Sequence, residues 1–188
     1  MPRSILLATL MAAAAPSFAA GVRYTIDPAH TYPSIEMEHL GISIFRGKFD
    51  RTSGQVLLDR AARTGLVDIQ VDTASIDFGH AQMNDKARTA DYLDATRHPS
   101  AAYKGRLLFD GDVPVAVDGQ LTLHGVTRPL KLAIHRFTCI EHPMRKREVC
   151  GADAEGELDR AEFGITRGAE GGKGRIHLRI QVEALRDS

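Results

Sequence analysis

Apolar residues recur at every second position over long stretches of this chain, and that period leaves few folds open. In "LVDIQVDTASI", Val67, Ile69 and Val71 alternate with Asp68, Gln70 and Asp72. In "VPVAVDGQLTLHG", Val113, Val115, Val117, Gly119, Leu121 and Leu123 share one parity, against Ala116, Asp118, Gln120, Thr122 and His124. Leu130, Leu132 and Ile134 repeat the pattern, as do Ile176, Leu178, Ile180 and Val182 in "RIHLRIQVEA". Successive side chains of a strand point to opposite faces, so such alternation predicts antiparallel strands with one dry and one wet face. Turn signals separate them: Asp110-Gly111-Asp112, "HGVTRP" at 124–129 and "EGGKG" at 170–174. About eight strands are expected, with no βαβ alternation and no linker. Long one-sided strands either close into a barrel or stack as two sheets. The length of the Val113–Leu123 strand leans to the barrel, and about eight strands enclose room for a narrow ligand.

One segment breaks the period. "HAQMNDKARTADYLD" sets Met83, Ala87, Ala90 and Leu93 three or four apart, which predicts a short amphipathic helix over 81–93. Pro99 forbids its continuation. Its apolar stripe needs a surface to rest on, and the open end of a barrel offers one.

The N-terminus reads as a secretory signal peptide over 1–19. Arg3 is the positive n-region, Ile5–Ala15 is apolar, and Ser17-Phe18-Ala19 is a small-x-small cleavage site. The run is short for a membrane span. Residues 20–188 then form one domain with a real core, in a chain exported to the periplasm. Lys plus Arg and Asp plus Glu both number 24, which argues against a nucleic-acid binder, since that needs a basic excess. No Trp is present to stack on bases.

The only two cysteines, Cys139 and Cys150, flank "IEHPMRKREV". In an oxidising compartment two cysteines at the base of a hairpin favour a structural disulfide. A redox pair would more usually be Cys-x-x-Cys, and zinc would find only Cys139, His142 and Cys150 at untypical spacing. Arg145 and Arg147 in the same loop suit a diphosphate or carboxylate, which Arg binds bidentately. His30, His98 and His124 sit at turns and are expected to cap them; no His-x-His spacing supports a metal or haem ligand. Nucleophile elbow, Walker loop, zinc-protease and dinucleotide motifs do not occur.

Four stretches carry a resemblance. They are "YTIDPAHTYPSIEMEHLGISIFRGKFDRTSGQVLLD" (24–59), "NDKARTADYLDATRHPSAAYKG" (84–105), "GQLTLHGVTRPLKL" (119–132) and "LDRAEFGITRG" (158–168). In this order they resemble the YceI-like family of exported, lipocalin-like barrels that bind polyisoprenoid lipids, and they span nearly all of 20–188. Two departures stand out: His30-Thr31 replaces a usual His-Ser, and Cys139 and Cys150 are not general to the family. The resemblance implies an antiparallel barrel with an apolar interior, open at one end, that binds rather than catalyses and needs no cofactor.

On that reading the pocket is lined by Val67, Ile69, Val71, Leu121, Leu123, Leu130, Leu132, Ile134, Ile176, Leu178 and Ile180. His39 shares the parity of Ile35 and Met37 and is the candidate to hydrogen-bond a polar part of the ligand. The expected partner is an isoprenoid or acyl lipid, for transport, storage or sensing. A different class of function is a periplasmic accessory partner of a membrane redox protein carrying haem or quinone. A homodimer is compatible with either.

Overall fold

The computed structural model describes residues 21–188; the expected signal peptide lies outside them. Eleven strands and one short helix follow each other as β1 (Val22–Ile26), β2 (Tyr32–His39), β3 (Ser43–Phe49), β4 (Thr52–Asp59), β5 (Thr64–Asp72), β6 (Ile76–Asp77), α1 (Ala81–Arg88), β7 (Ser100–Asp110), β8 (Val113–Leu123), β9 (Val126–Glu141), β10 (Glu148–Asp159) and β11 (Arg175–Arg186). Eight of them, β1-β4-β5-β7-β8-β9-β10-β11, form an antiparallel barrel closed by β1 against β11, with Tyr24 opposite Arg186 and Ile26 opposite Ala184. Closure pairs the first and last strands of the barrel with each other, while β3 beyond it keeps most of its outer edge unpaired among the described residues.

The remaining three strands extend one side of the barrel. The edge of β11 that meets β1 near its end meets β2 near its beginning, from Gln181 opposite Tyr32 to His177 opposite Glu36. The turn Asp27–Thr31 carries the chain from the first partner position to the second. There Ala29 N–H donates to Asp27 Oδ1 at 3.0 Å, and Thr31 Oγ1 exchanges hydrogen bonds with the Glu183 backbone at 3.1 Å each. β3 and β6 continue outward from β2. The β2–β3 hairpin thus stands beyond the start of β11 and raises the wall on that side.

Two bulges change the parity expected from the sequence. Leu108 pairs with Ala116 but Phe109 with Pro114, which leaves Val115 unpaired. An extra residue in one strand turns every side chain beyond it to the other face. Val113 and Val115 therefore face solvent, 49% and 39% exposed, while Ala116 and Val117 are both buried. The single dry face expected for 113–123 holds only from Val117 on. In β9 the partner of Asp153 is Arg136 and that of Ala154 is Ile134, so His135 is the extra residue and Phe137 turns inward after Ile134.

The helix is shorter than the 81–93 expected. Thr89 has extended backbone, and both its N–H and its Oγ1 bond to the Lys86 carbonyl, which ends α1 at Arg88. Residues 89–98 continue as successive turns anchored by Leu93 N–H to Ala87 O and His98 N–H to Asp94 O. Cys139 and Cys150 form a disulfide and pair directly across the β9–β10 ladder, their Cα atoms 4.0 Å apart. The strands run on past them to Glu141 and Glu148, so the cysteines lie inside the ladder rather than at its base.

Candidate functional site

Inside the barrel lies a cavity of about 770 Å³. One end is plugged. Tyr24, Ile26, Leu58, Cys150 and Ala184 pack there with Leu107, Phe109 and Phe137 around them. The Tyr24 hydroxyl donates to Glu148 Oε2 at 2.6 Å, and Arg60 closes the outside of the plug by pairing with the same carboxylate. Burial and the hydrogen bond to Glu148 both push the Tyr24 phenol up. Burial also works against the Glu148 carboxylate, but the bonds from Tyr24 and Arg60 outweigh it and hold it below its usual range.

The walls are where the period of two told. Val67, Ile69 and Val71 line the cavity from β5, Leu121 and Leu123 from β8. Leu130, Leu132 and Ile134 do so from β9, and Ile176, Leu178 and Ile180 from β11. The buried Tyr103 hydroxyl also belongs to this wall but is fully engaged: it donates to the Leu130 carbonyl at 2.9 Å and lies 3.3 Å from that of Val117. Burial, with a smaller effect from the Asp118 charge, pushes its pKa far above that of an ordinary phenol. The mid-section therefore presents hydrocarbon, with this polar group spent on the wall itself.

The mouth lies at the opposite end from the disulfide. Met83, Ala87 and Leu93 reach it from α1 and the turns that follow; Ala90 of the expected stripe does not. His39 lines it from the end of β2, with its ring stacked on Phe45 at 4.0 Å and 13° between planes. The imidazole is thus part of an aromatic rim. Beyond it the hairpin tip carries Leu40 and Ile42, 75% and 80% exposed.

Four cations border the mouth: Lys86, Arg160, Arg167 and Lys173, against the carboxylates of Glu38 and Glu170. Lys86 and Arg167 share Asp91, at 3.2 and 2.8 Å. Arg160 Nη1 donates to the carbonyls of Ile165 and Arg167 at 3.0 and 2.8 Å. Among the described residues no carboxylate lies within ion-pair distance of Lys173. Nothing local in the sequence singles out these residues as a group. Arg160 and Arg167 stand in the stretch "LDRAEFGITRG" and Lys173 in "EGGKG", both read as turn and family pattern, and only the folding of 159–174 over the barrel end brings their charges together.

Arg145 and Arg147 need correcting as candidates. Neither lines the cavity. Their loop joins β9 to β10 at the plugged end, where Arg145 comes within 3.9 Å of Asp27. The loop runs outward past the disulfide and cannot curl back to the mouth, because the β9–β10 ladder holds it at the far end.

Comparison with known proteins agrees with this architecture. The model of the YceI-like domain matches residues 24–184. A UPF0312 protein of Vibrio vulnificus is 30% identical over 191 residues, which cover 99% of this chain and 100% of the relative. One of Pectobacterium carotovorum is 27% identical over 184 residues, 97% of this chain and 95% of the relative. Among solved structures, a YCEI protein of Campylobacter jejuni superposes with a TM-score of 0.66 at 21% identity, covering 81% of this chain and 91% of its own. A polyisoprenoid binding domain from Saccharophagus degradans, implicated in plant cell wall breakdown, does so with a TM-score of 0.60 at 16% identity, covering 88% and 99%.

Proposed function

The chain belongs to the YceI-like family, and from that membership and its cavity we propose that it binds a long isoprenoid or similar acyl lipid, tail inward, without transforming it. The observation that carries this reading is the continuous hydrocarbon-walled space, plugged at one end and open at the other. Its volume falls within the 300–1,000 Å³ range of small-molecule sites, so it is not too small for a tail. Each CH₂ moved from water into such a wall contributes about 0.8 kcal/mol. Affinity then comes from desolvation and shape, with few polar contacts along the tail. The Saccharophagus neighbour, which binds polyisoprenoid, supports the ligand class by analogy.

An anionic head group, diphosphate or carboxylate, lies at the mouth in this reading. Lys173 and Arg167 meet it there, in place of Arg145 and Arg147. His39 packs against the first part of the tail through its stacked ring. The Cys139–Cys150 disulfide supports residence in an oxidising compartment, consistent with export to the periplasm. A binding protein open at one end suits carriage between membranes, storage or sensing of such a lipid.

Native mass spectrometry of the protein purified from the periplasm, followed by extraction, tests the reading. A mass increment that extracts as a lipid with an isoprenoid or acyl tail is the expected result. A protein that is recovered empty and takes up no lipid from detergent-dispersed extracts contradicts it. Ultraviolet and visible absorption of the same sample reads any haem or quinone that the protein itself carries away from a membrane redox partner, and light scattering reads the homodimer.

A further inference from the structure

Behind the mouth, on the side away from the cavity, stands a cluster that the lipid reading does not use. Asp94, His98 and His124 each bring one donor atom to within 4.8 Å of the other two. The two imidazole rings lie 4.6 Å apart between centroids. Asp94 is 6% exposed, a buried carboxylate at the end of the turns that follow α1. Its one ion pair among the described residues is a 3.5 Å approach from Arg97, whose side chain is 78% exposed. Contacts of that kind contribute little and yield readily.

The state of His124 is decided by its neighbours. Its Nδ1 lies 3.1 Å from the Phe163 carbonyl oxygen. A carbonyl only accepts, so Nδ1 carries the proton and, in the neutral ring, Nε2 carries the lone pair. That Nε2 is buried and has no hydrogen-bond partner among the described residues. A ring held by a backbone carbonyl on one nitrogen, with the other nitrogen bare, is the arrangement that metal-ligating histidines adopt.

The backbone also bears a cost here. Asp94 and His124 both have left-handed conformations, at φ 43° and 53°. His124 and Gly125 form the two-residue turn between β8 and β9, a place where Asn-Gly is the favoured pair. A Cβ at Gly125 would come within 2.9 Å of His98 Cε1, so the glycine also makes room for the second ring. Strain concentrated on residues with unspent polar atoms points to a function.

We propose that Asp94, His98 and His124 form a binding site for a divalent transition cation, with Zn²⁺ the best match to one carboxylate and two imidazoles. Zinc bonds of about 2.0–2.1 Å set tetrahedral donors roughly 3.3 Å apart, which small side-chain rotations reach from the separations present. Water completes the coordination. Leu93 and Leu123, the chain neighbours of Asp94 and His124, both line the cavity. A bound cation therefore ties the 89–98 turns to the β8–β9 hairpin and stiffens one side of the mouth. Asp94 and His98 stand four apart in the turns after α1, and His124 joins them only when the β8–β9 turn folds beside them.

The test uses the untagged, disulfide-intact chain after dialysis against EDTA. Calorimetric titration with Zn²⁺ should saturate at one ion per chain and raise the melting temperature, because a ligand that binds only the native state stabilises it by mass action. Co²⁺ should give visible d–d bands that Zn²⁺ abolishes. His124→Asn keeps a residue suited to the left-handed turn, and His98→Gln keeps a polar side chain. Each should weaken Zn²⁺ binding at least tenfold while the metal-free melting temperature stays within a few degrees, whereas His142→Ala in the far loop should change nothing. Absence of saturable uptake by the unaltered chain, or uptake undiminished when His98→Gln and His124→Asn are combined, overturns the site. Lipid content is not read in any arm, so the outcome is independent of the proposed lipid function.

Discussion

Asp27 is 5% exposed and organises the turn by which the chain leaves β1 for β2. His30 Nδ1 lies 3.1 Å from its Oδ2, and Ala29 N–H donates to its Oδ1. Burial opposes the carboxylate's charge, but these two bonds, with the charges of His30 and Arg145, outweigh it and hold the pKa below the usual aspartate value. The unfolded chain therefore binds the proton more readily, and stability rises with pH across this window. The contribution is complete above about pH 3.9, the ordinary aspartate value, and is lost as pH falls through the lower native value. Asp27→Asn should cost about 1.5–3 kcal/mol at pH 7, and the difference from the unaltered protein should shrink as pH falls below the ordinary aspartate value. Urea melts of both proteins at several pH values check this; an equal gap at pH 7 and pH 2 would rule out the carboxylate's charge as the cause. The sequence marked His30 as a turn residue. It did not show Asp27 to be buried, since burial here comes from Glu183 and Arg145, distant in the chain.

At the level of elements, period two located the inward faces of β5, β9 and β11 correctly, because those strands obey their alternation over the residues that line the cavity. It failed on the first half of β8. A bulge depends on the partner strand's register, and nothing within 113–123 reveals that Leu108 and Phe109 skip Val115. The consequence is measurable. Val115→Lys should change stability by no more than about 0.5 kcal/mol, as expected for an exposed site, whereas Val117→Lys should cost more than about 4 kcal/mol by burying a charge in the wall. If alternation ran unbroken through β8, both substitutions would be severe. The β9–β10 ladder offers a second case. The disulfide closes a loop of 11 residues in sequence separation, for which the chain-entropy model gives about 3 kcal/mol. Replacing both cysteines by alanine should lower the urea midpoint accordingly. It should leave lipid uptake intact, since the bridge lies at the plugged end; loss of uptake without loss of fold would show that the plug shapes the ligand.

For the whole molecule, the number of barrel strands was legible because long amphipathic strands with hairpin turns must close or stack. The raised wall of β2, β3 and β6 was not. It exists because β11 offers one edge to two different strands, and pairing between strands at opposite ends of a chain leaves no local trace. The same limit hid the mouth cations, which lie near one another only once residues 159–174 fold over the barrel end. Geometry of this kind, a deep hydrocarbon tube with a charged rim, has a thermodynamic consequence that separates tail from head. Across straight-chain carboxylates of increasing length, each added CH₂ should tighten binding by about 0.8 kcal/mol, roughly fourfold per carbon. The gain should stop when the tail reaches the plug formed by Tyr24, Leu58 and Ala184. Reversing the rim with Arg167→Glu and Lys173→Glu should weaken every carboxylate by a common factor and leave the slope per carbon unchanged, while neutral alcohols of the same lengths are spared. Displacement of a fluorescent fatty acid measures all three series. A flat dependence on chain length would remove the cavity as the binding site, and a rim reversal that weakens alcohols and acids alike would remove the cations as the head-group contact.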